Sequence, residues 1–82
     1  MYTVYILQDS SGLLYKGMTD NLNRRLIEHR QGKTKTTKKM SDIIVIHTEK
    51  FKTRAEARQR EKYFKTAAGR RFIKFKILKN GG

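Results

Sequence analysis

The 82-residue chain has no cysteine and no proline. Without thiols, neither a disulfide framework nor a thiolate metal site can hold a small fold together, so packing has to do it. Gly, Ser and Pro never gather into a linker before the closing Asn80-Gly81-Gly82. The expectation is one domain over residues 1–79, with 80–82 as a frayed tail. The length fits one core and not two, because a smaller unit would bury too little surface to offset its chain entropy. Long apolar runs are missing as well. Hydrophobic residues make up 37% of the chain but lie in separate patches (Val4 to Leu7, Ile43 to Ile46, Phe72 to Leu78), none approaching the roughly 18 residues of a membrane span. The opening Met1-Tyr2-Thr3-Val4 carries neither the basic region nor the small-residue cleavage site of a signal peptide, so a cytoplasmic location is expected.

Acidic residues are scarce. Seven Asp and Glu stand against 20 Lys and Arg, for a net charge of +13. A field of that size repels its own folded chain and points to a polyanionic partner. Nucleic acid comes first, since every neutralised phosphate releases counterions whatever the base sequence. An anionic membrane would call for cations opposite a broad apolar face. Here they are spread from Lys16 to Lys79, so no membrane partner is expected.

Tyr2 to Leu7 is β-branched and aromatic, Gln8 to Gly12 is a turn cluster, and Leu13 to Met18 is apolar again, which spells a β-hairpin. In its second strand the period of two sends Leu13, Tyr15 and Gly17 to one face and Leu14, Lys16 and Met18 to the other. Lys16 must therefore snorkel to solvent, or its face must be open. Asp20 is the expected N-cap of a helix reaching Gln31, with Gly32 as a left-handed cap. Leu22 and Leu26 supply its apolar stripe, and Arg24 and Glu28 pair across its wet side. Lys33 to Ser41 is a polar, aperiodic loop whose Lys33, Lys35, Lys38 and Lys39 are candidate phosphate contacts. A third strand follows from Ile43 to Phe51, buried at its start and half exposed at its end. Thr53-Arg54-Ala55-Glu56 matches a capping box and opens a second helix running to about Thr66. The last segment is ambiguous: Ile73, Phe75 and Ile77 alternate like a strand, while Phe72, Phe75 and Leu78 fit a helix, and the pattern slightly favours the strand. The order β-β-α-β-α followed by α or β spells a small mixed α/β sandwich.

Some polar groups stand where apolar ones are expected. Ala57, Glu61 and Phe64 share one helical stripe, which turns the Glu61 carboxylate toward the core side. A buried carboxylate needs a partner, either a lysine or arginine or a divalent cation that prefers hard oxygen ligands. Arg25 and His29, one turn apart, can approach a common target; an arginine fork suits a phosphate and histidine titrates near neutral pH, although such pairs also occur on plain solvated faces. Tyr5 and Tyr15, on paired strands, can bring their hydroxyls together or simply pack. Gly17 marks either a close approach or a bulge, and Thr19 either shapes the turn into the helix or touches a phosphate.

These pieces together resemble the GIY-YIG nucleases, and are closest to the short single-domain members. The resemblance is carried by Val4-Tyr5-Ile6-Leu7, Tyr15-Lys16-Gly17-Met18-Thr19, Asn21-Leu22-Asn23-Arg24-Arg25-Leu26 through His29, Glu56-Ala57 to Glu61-Lys62, and Gly69-Arg70-Arg71-Phe72. Thr3-Val4-Tyr5 replaces Gly-Ile-Tyr and Tyr15-Lys16-Gly17 replaces Tyr-Ile-Gly, each keeping its tyrosine. The resemblance implies an α+β sandwich with a three-stranded antiparallel sheet flanked by helices, in the order β-β-α-β-α-α, which makes the last segment a helix. It also implies catalytic roles. Tyr5 or Tyr15 would help deprotonate the attacking water, although a phenol that titrates near 10 needs a cation beside it. Arg25 would stabilise the transition state, Glu61 would hold Mg2+ or Mn2+, and His29 would carry a proton. Lys16, Gly17, Thr19, Arg24, Arg70 and Arg71 join the loop lysines as candidate nucleic-acid contacts.

Three functions stay in competition. The first is a divalent-metal-dependent endonuclease acting on DNA rather than RNA, with a protein partner supplying the targeting that larger members carry as separate domains. The second is a weakly catalytic or non-catalytic nucleic-acid-binding module, which has no evident need for Glu61 because an acid weakens phosphate affinity. The third is an adaptor for an acidic protein. A monomer is the default, which Phe51, Phe64 and Phe75 exposed as one patch would revise.

Overall fold

A computed structural model of the chain describes residues 1–32 and 40–78. Lys33, Lys35, Lys38 and Lys39 in the basic loop, and the tail from 79 onward, lie outside the described residues. The hairpin forms as its pattern demands. Strand β1 (Tyr2–Gln8) and strand β2 (Leu14–Thr19) pair antiparallel from Thr3↔Thr19 to Gln8↔Leu14. Asp9 shapes the turn, its Oδ1 accepting from the Ser11 and Leu13 amides at 3.0 and 2.8 Å, while Gly12 takes a positive φ of 94°. Strand β3 (Ile44–Phe51) pairs with the other side of β1, so the sheet order is β2-β1-β3.

Because β1 is central and both its faces are covered, Val4, Tyr5, Ile6 and Leu7 are all fully buried. The predicted alternation holds. Tyr5, Leu7 and Tyr15 pack with Leu22 and Leu26 of helix α1 (Leu22–Arg30). Val4, Ile6, Leu14 and Met18 face Ala57 and Phe64 of helix α2 (Arg54–Phe64). A bulge between Ile6 and Leu7 puts Ile6 opposite His47 and Leu7 opposite Val45. The extra residue, Ile46, packs on the α2 side, and His47 stacks edge-on against Phe64 there with centroids 6.0 Å apart. Ile43 is buried just before the strand, whereas Ile44 is exposed, so the expected burial of the strand's start is met by Ile43 alone.

Other expectations are corrected. Asn21, not Asp20, caps α1, accepting from the Arg24 amide at 3.1 Å. Thr19 Oγ1 takes the Asn21 amide at 3.1 Å and delays the helix by a residue, leaving Asp20 to pair with Arg24 at 3.4 Å. Glu28 pairs with Arg25 at 3.1 Å rather than with Arg24. Gly32 takes the left-handed φ of 72° as expected. The Thr53–Glu56 capping box is present, but α2 stops at Phe64, and Thr66 instead caps helix α3 (Ala67–Phe72). The ambiguous last segment is helical, with α3 running into a π-helical turn (Ile73–Ile77). Packing overrides the strand-like alternation there: Ile73 is buried, Phe72, Ile77 and Leu78 lean on the core, and Phe75 is left exposed. Phe64 is fully buried and Phe51 partly so, hence these rings do not make one exposed patch with Phe75.

Candidate active site

The hairpin register puts Tyr5 opposite Gly17 and Leu7 opposite Tyr15, so the two phenols lie diagonally on the α1 side of the sheet. Their ring centroids are 6.1 Å apart. A Cβ on Gly17 would stand 2.7 Å from the Tyr5 hydroxyl oxygen and 2.9 Å from a Tyr15 ring carbon. Gly17 therefore serves a close approach, as one of its two readings held, but what approaches is a side chain. The bulge lies in the other strand pair.

Above the phenols, α1 lowers His29 and Arg25 from consecutive turns. His29 is buried, its Nε2 lies 2.8 Å from the Tyr5 hydroxyl, and its ring stacks edge-on to Tyr15 at 4.8 Å. Burial pushes the Tyr5 phenol up to about 12, against which its hydrogen bond to Arg25 works. The Arg25 guanidinium is held even more firmly charged than usual by that bond, then by Glu28. Burial and the Arg25 charge lower the His29 pKa. A guanidinium only donates, so with Arg25 acting on its oxygen the Tyr5 hydroxyl is left to give its own proton to a neutral His29 Nε2, 2.8 Å away. The expected proton carrier thus sits behind Tyr5, away from open solvent.

Arg25 links this cluster to an open pocket of about 450 Å³ where β2 runs into α1. Thr19 and Arg24 share the α1 side of its wall, while Arg54, Arg58 and Glu61 come from α2. Four arginines (24, 25, 54 and 58) thus ring a cavity with three acids (Asp20, Glu28 and Glu61). Glu61 is shielded, its side chain 16% exposed, and its Oε2 lies 3.2 Å from Lys65 Nζ. Sequence reasoning missed Arg54 and Arg58, although their spacing of four and then three to Glu61 marks one helix face.

Lys16 is half-buried on the other face of the sheet, beside α2 and α3, and Arg70 and Arg71 are exposed on α3. None of the three lines the pocket. No group of three or more His, Cys, Asp or Glu that could hold a metal occurs among the described residues. A divalent cation held by the Glu61 carboxylate would keep most of its waters and complete its shell with substrate phosphate, as magnesium does. In this structure the partner of that carboxylate is the Lys65 ammonium, the lysine alternative of the two the sequence left open.

The family model described as the GIY-YIG catalytic domain matches residues 1–74. The chain belongs to the GIY-YIG family. This GIY-YIG chain is 35% identical over 79 residues to a UPF0213 protein of Staphylococcus epidermidis, covering 95% of this chain and 94% of the relative. It is 44% identical over 64 residues to a UPF0213 protein of Enterococcus faecalis, covering 74% and 73% of the two chains. The solution NMR structure of a UPF0213 protein from Bacillus halodurans superposes with a TM-score of 0.58 at 28% identity, covering 94% of this chain and 87% of that one. The GIY-YIG family is of nuclease type, which makes nucleic acid the indicated substrate class. No helix among the described residues is long and apolar enough to cross a membrane.

Proposed function

We propose that the chain is a divalent-metal-dependent endonuclease that hydrolyses phosphodiester bonds, in DNA rather than RNA. The observation that carries the reading is the position of Arg25, which joins the paired phenols to a pocket walled on its far side by Glu61. Arg25 would meet the scissile phosphate with a fixed, fully charged fork and oppose the charge that grows on its oxygens. Arg24, Arg54 and Arg58 would hold the flanking phosphates, and Thr19 would shape the turn between them. Tyr15 is half-buried where Tyr5 is sealed, so Tyr15 would be the phenol that water can reach. Tyr5 and His29 would aim Arg25 from behind. Magnesium or manganese on Glu61 would supply Lewis-acid stabilisation of the phosphoryl oxygens.

The test is to incubate the protein, Glu61→Ala and Arg25→Ala with labelled single-stranded, duplex and forked DNA and the matching RNA, with either metal or with chelator. Metal-dependent products that both variants lose are expected. Binding with no cleavage on any substrate would sink the reading for the isolated chain and leave the binding module, or a nuclease that needs a targeting partner.

A further inference from the structure

Lys65, at the C-terminal end of α2, pairs with Glu61 of the pocket wall. Its side chain, a long four-carbon stem, is 56% exposed, whereas the carboxylate it pairs with is 16% exposed on α2. Lys65 can therefore leave, and Glu61 cannot follow. Lys16, half-buried, stands between Leu14 and Met18 on the β2 face that packs against the α2 and α3 side chains, and Arg70 stands on α3. Met18, two residues along β2 from Lys16 and on the same face, belongs to the pocket wall, which sets Lys16 about 7 Å further along the strand. After burial, the charges of Arg70 and Lys65 lower the Lys16 pKa, so both cations act on Lys16. With nothing bound, Lys65 is better off on Glu61 than beside two like charges. With an anion between Lys16 and Arg70 that preference reverses.

We propose that Lys65 exchanges between the Glu61 carboxylate and a backbone phosphate of the nucleic acid, forming with Lys16 and Arg70 a phosphate subsite next to the pocket. The proposal rests on the reading of Glu61 as the metal-holding carboxylate. While Lys65 caps Glu61, its ammonium opposes a divalent cation there. Phosphate on the subsite draws the ammonium away and opens the carboxylate, so the two ligands assist each other by the same factor.

Two titrations on the full chain test it. Mn2+ binding is followed by its free-ion EPR signal, without nucleic acid, for the native protein, Glu61→Gln, Lys65→Gln and Lys62→Gln, the last removing an equal charge from the same helix. Lys65→Gln should bind Mn2+ about two- to fivefold more tightly than both the native protein and Lys62→Gln, the scale of a partly exposed ion pair. A labelled oligonucleotide is then titrated in chelator against the native protein, Glu61→Gln, Lys65→Gln and the double variant. Glu61→Gln should tighten binding by about the same factor, and the gain should vanish when Lys65 is also Gln. Lys65→Gln matching Lys62→Gln in Mn2+ affinity would overturn the exchange, and so would a gain that persists in the double variant. If Glu61→Gln loses Mn2+ while either of these holds, only the exchange falls. If Glu61→Gln binds Mn2+ like the native protein, the metal reading of Glu61 falls and the exchange falls with it.

Discussion

Tyr5 is sealed under α1, and its hydroxyl is shared between a cation that only donates and an imidazole that is kept neutral. Tyr5→Phe should cost about 1–2 kcal/mol of stability, measured by urea unfolding at pH 7, because a buried imidazole and a guanidinium both lose a partner. The same residue sets an alkaline limit. A folded-state value of about 12 against an ordinary 10 means that the native state holds the proton longer. Stability should therefore fall as pH rises from about 10 to 12, and Tyr5→Phe should flatten that fall. His29 acts at the other end. Its pKa is lowered on folding, so the unfolded chain takes up the proton first and stability should drop as pH falls below about 6.5. Gly17→Ala would push a methyl into the Tyr5 hydroxyl and the Tyr15 ring. We expect a loss of about 1–3 kcal/mol by urea unfolding, and a fall in cleavage rate greater than in DNA affinity, because the displaced ring supports Arg25.

Between elements, β3 and α2 are joined by a polar network that the bulge makes geometrically available. His47 and Glu49, two residues apart on one sheet face, meet at 2.7 Å, and Arg60 of α2 reaches Glu49 at 2.8 and 3.2 Å. The Arg60 guanidinium also lies 4.7 to 5.0 Å from the ring centroids of Tyr63, Phe64 and Phe72. Burial works against ionisation of Glu49, and the bonds from Arg60 and His47 overcome it, holding its carboxyl below the usual range. Arg60→Met keeps much of the apolar stem and removes the charge. It should cost about 1–3 kcal/mol by thermal or urea unfolding, discounted from a fully buried pair because both groups keep some solvent contact. Gly69 has a comparable part between α2 and α3. A Cβ there would run into the Tyr63 carbonyl oxygen and the Phe64 Cα, and backbone cannot step aside as a flexible side chain does.

For the whole molecule the dominant quantity is the charge of +13. Arginines of α1 and α2 line the pocket and three acids temper it, while Lys16 of β2 and Arg70 of α3 lie outside it. Affinity for an oligonucleotide, measured by fluorescence anisotropy in chelator, should fall linearly with log salt. Arg54→Gln/Arg58→Gln should lower the steepness by about 1 to 2 if each arginine holds one phosphate. An unchanged slope would mean that the nucleic acid does not cross this pocket.

The sequence by itself determined what depends on local pattern and chemical type. Alternation assigned Tyr15 to one face of β2 and Met18 to the other, the Thr53–Glu56 spacing started α2, and the helical stripe turned Glu61 inward; the scarcity of acids pointed to a polyanionic partner. Tertiary structure decided what depends on competition among distant groups. Lys65, and not Arg25 or Arg58, lies on Glu61; His29 faces Tyr5; the last segment coils because Phe72 and Ile73 find the α2 core. Such choices turn on which partner arrives first within hydrogen-bond distance, and a few ångströms of helix placement, set by bulge, cap and glycine contacts from separate parts of the chain, decide them.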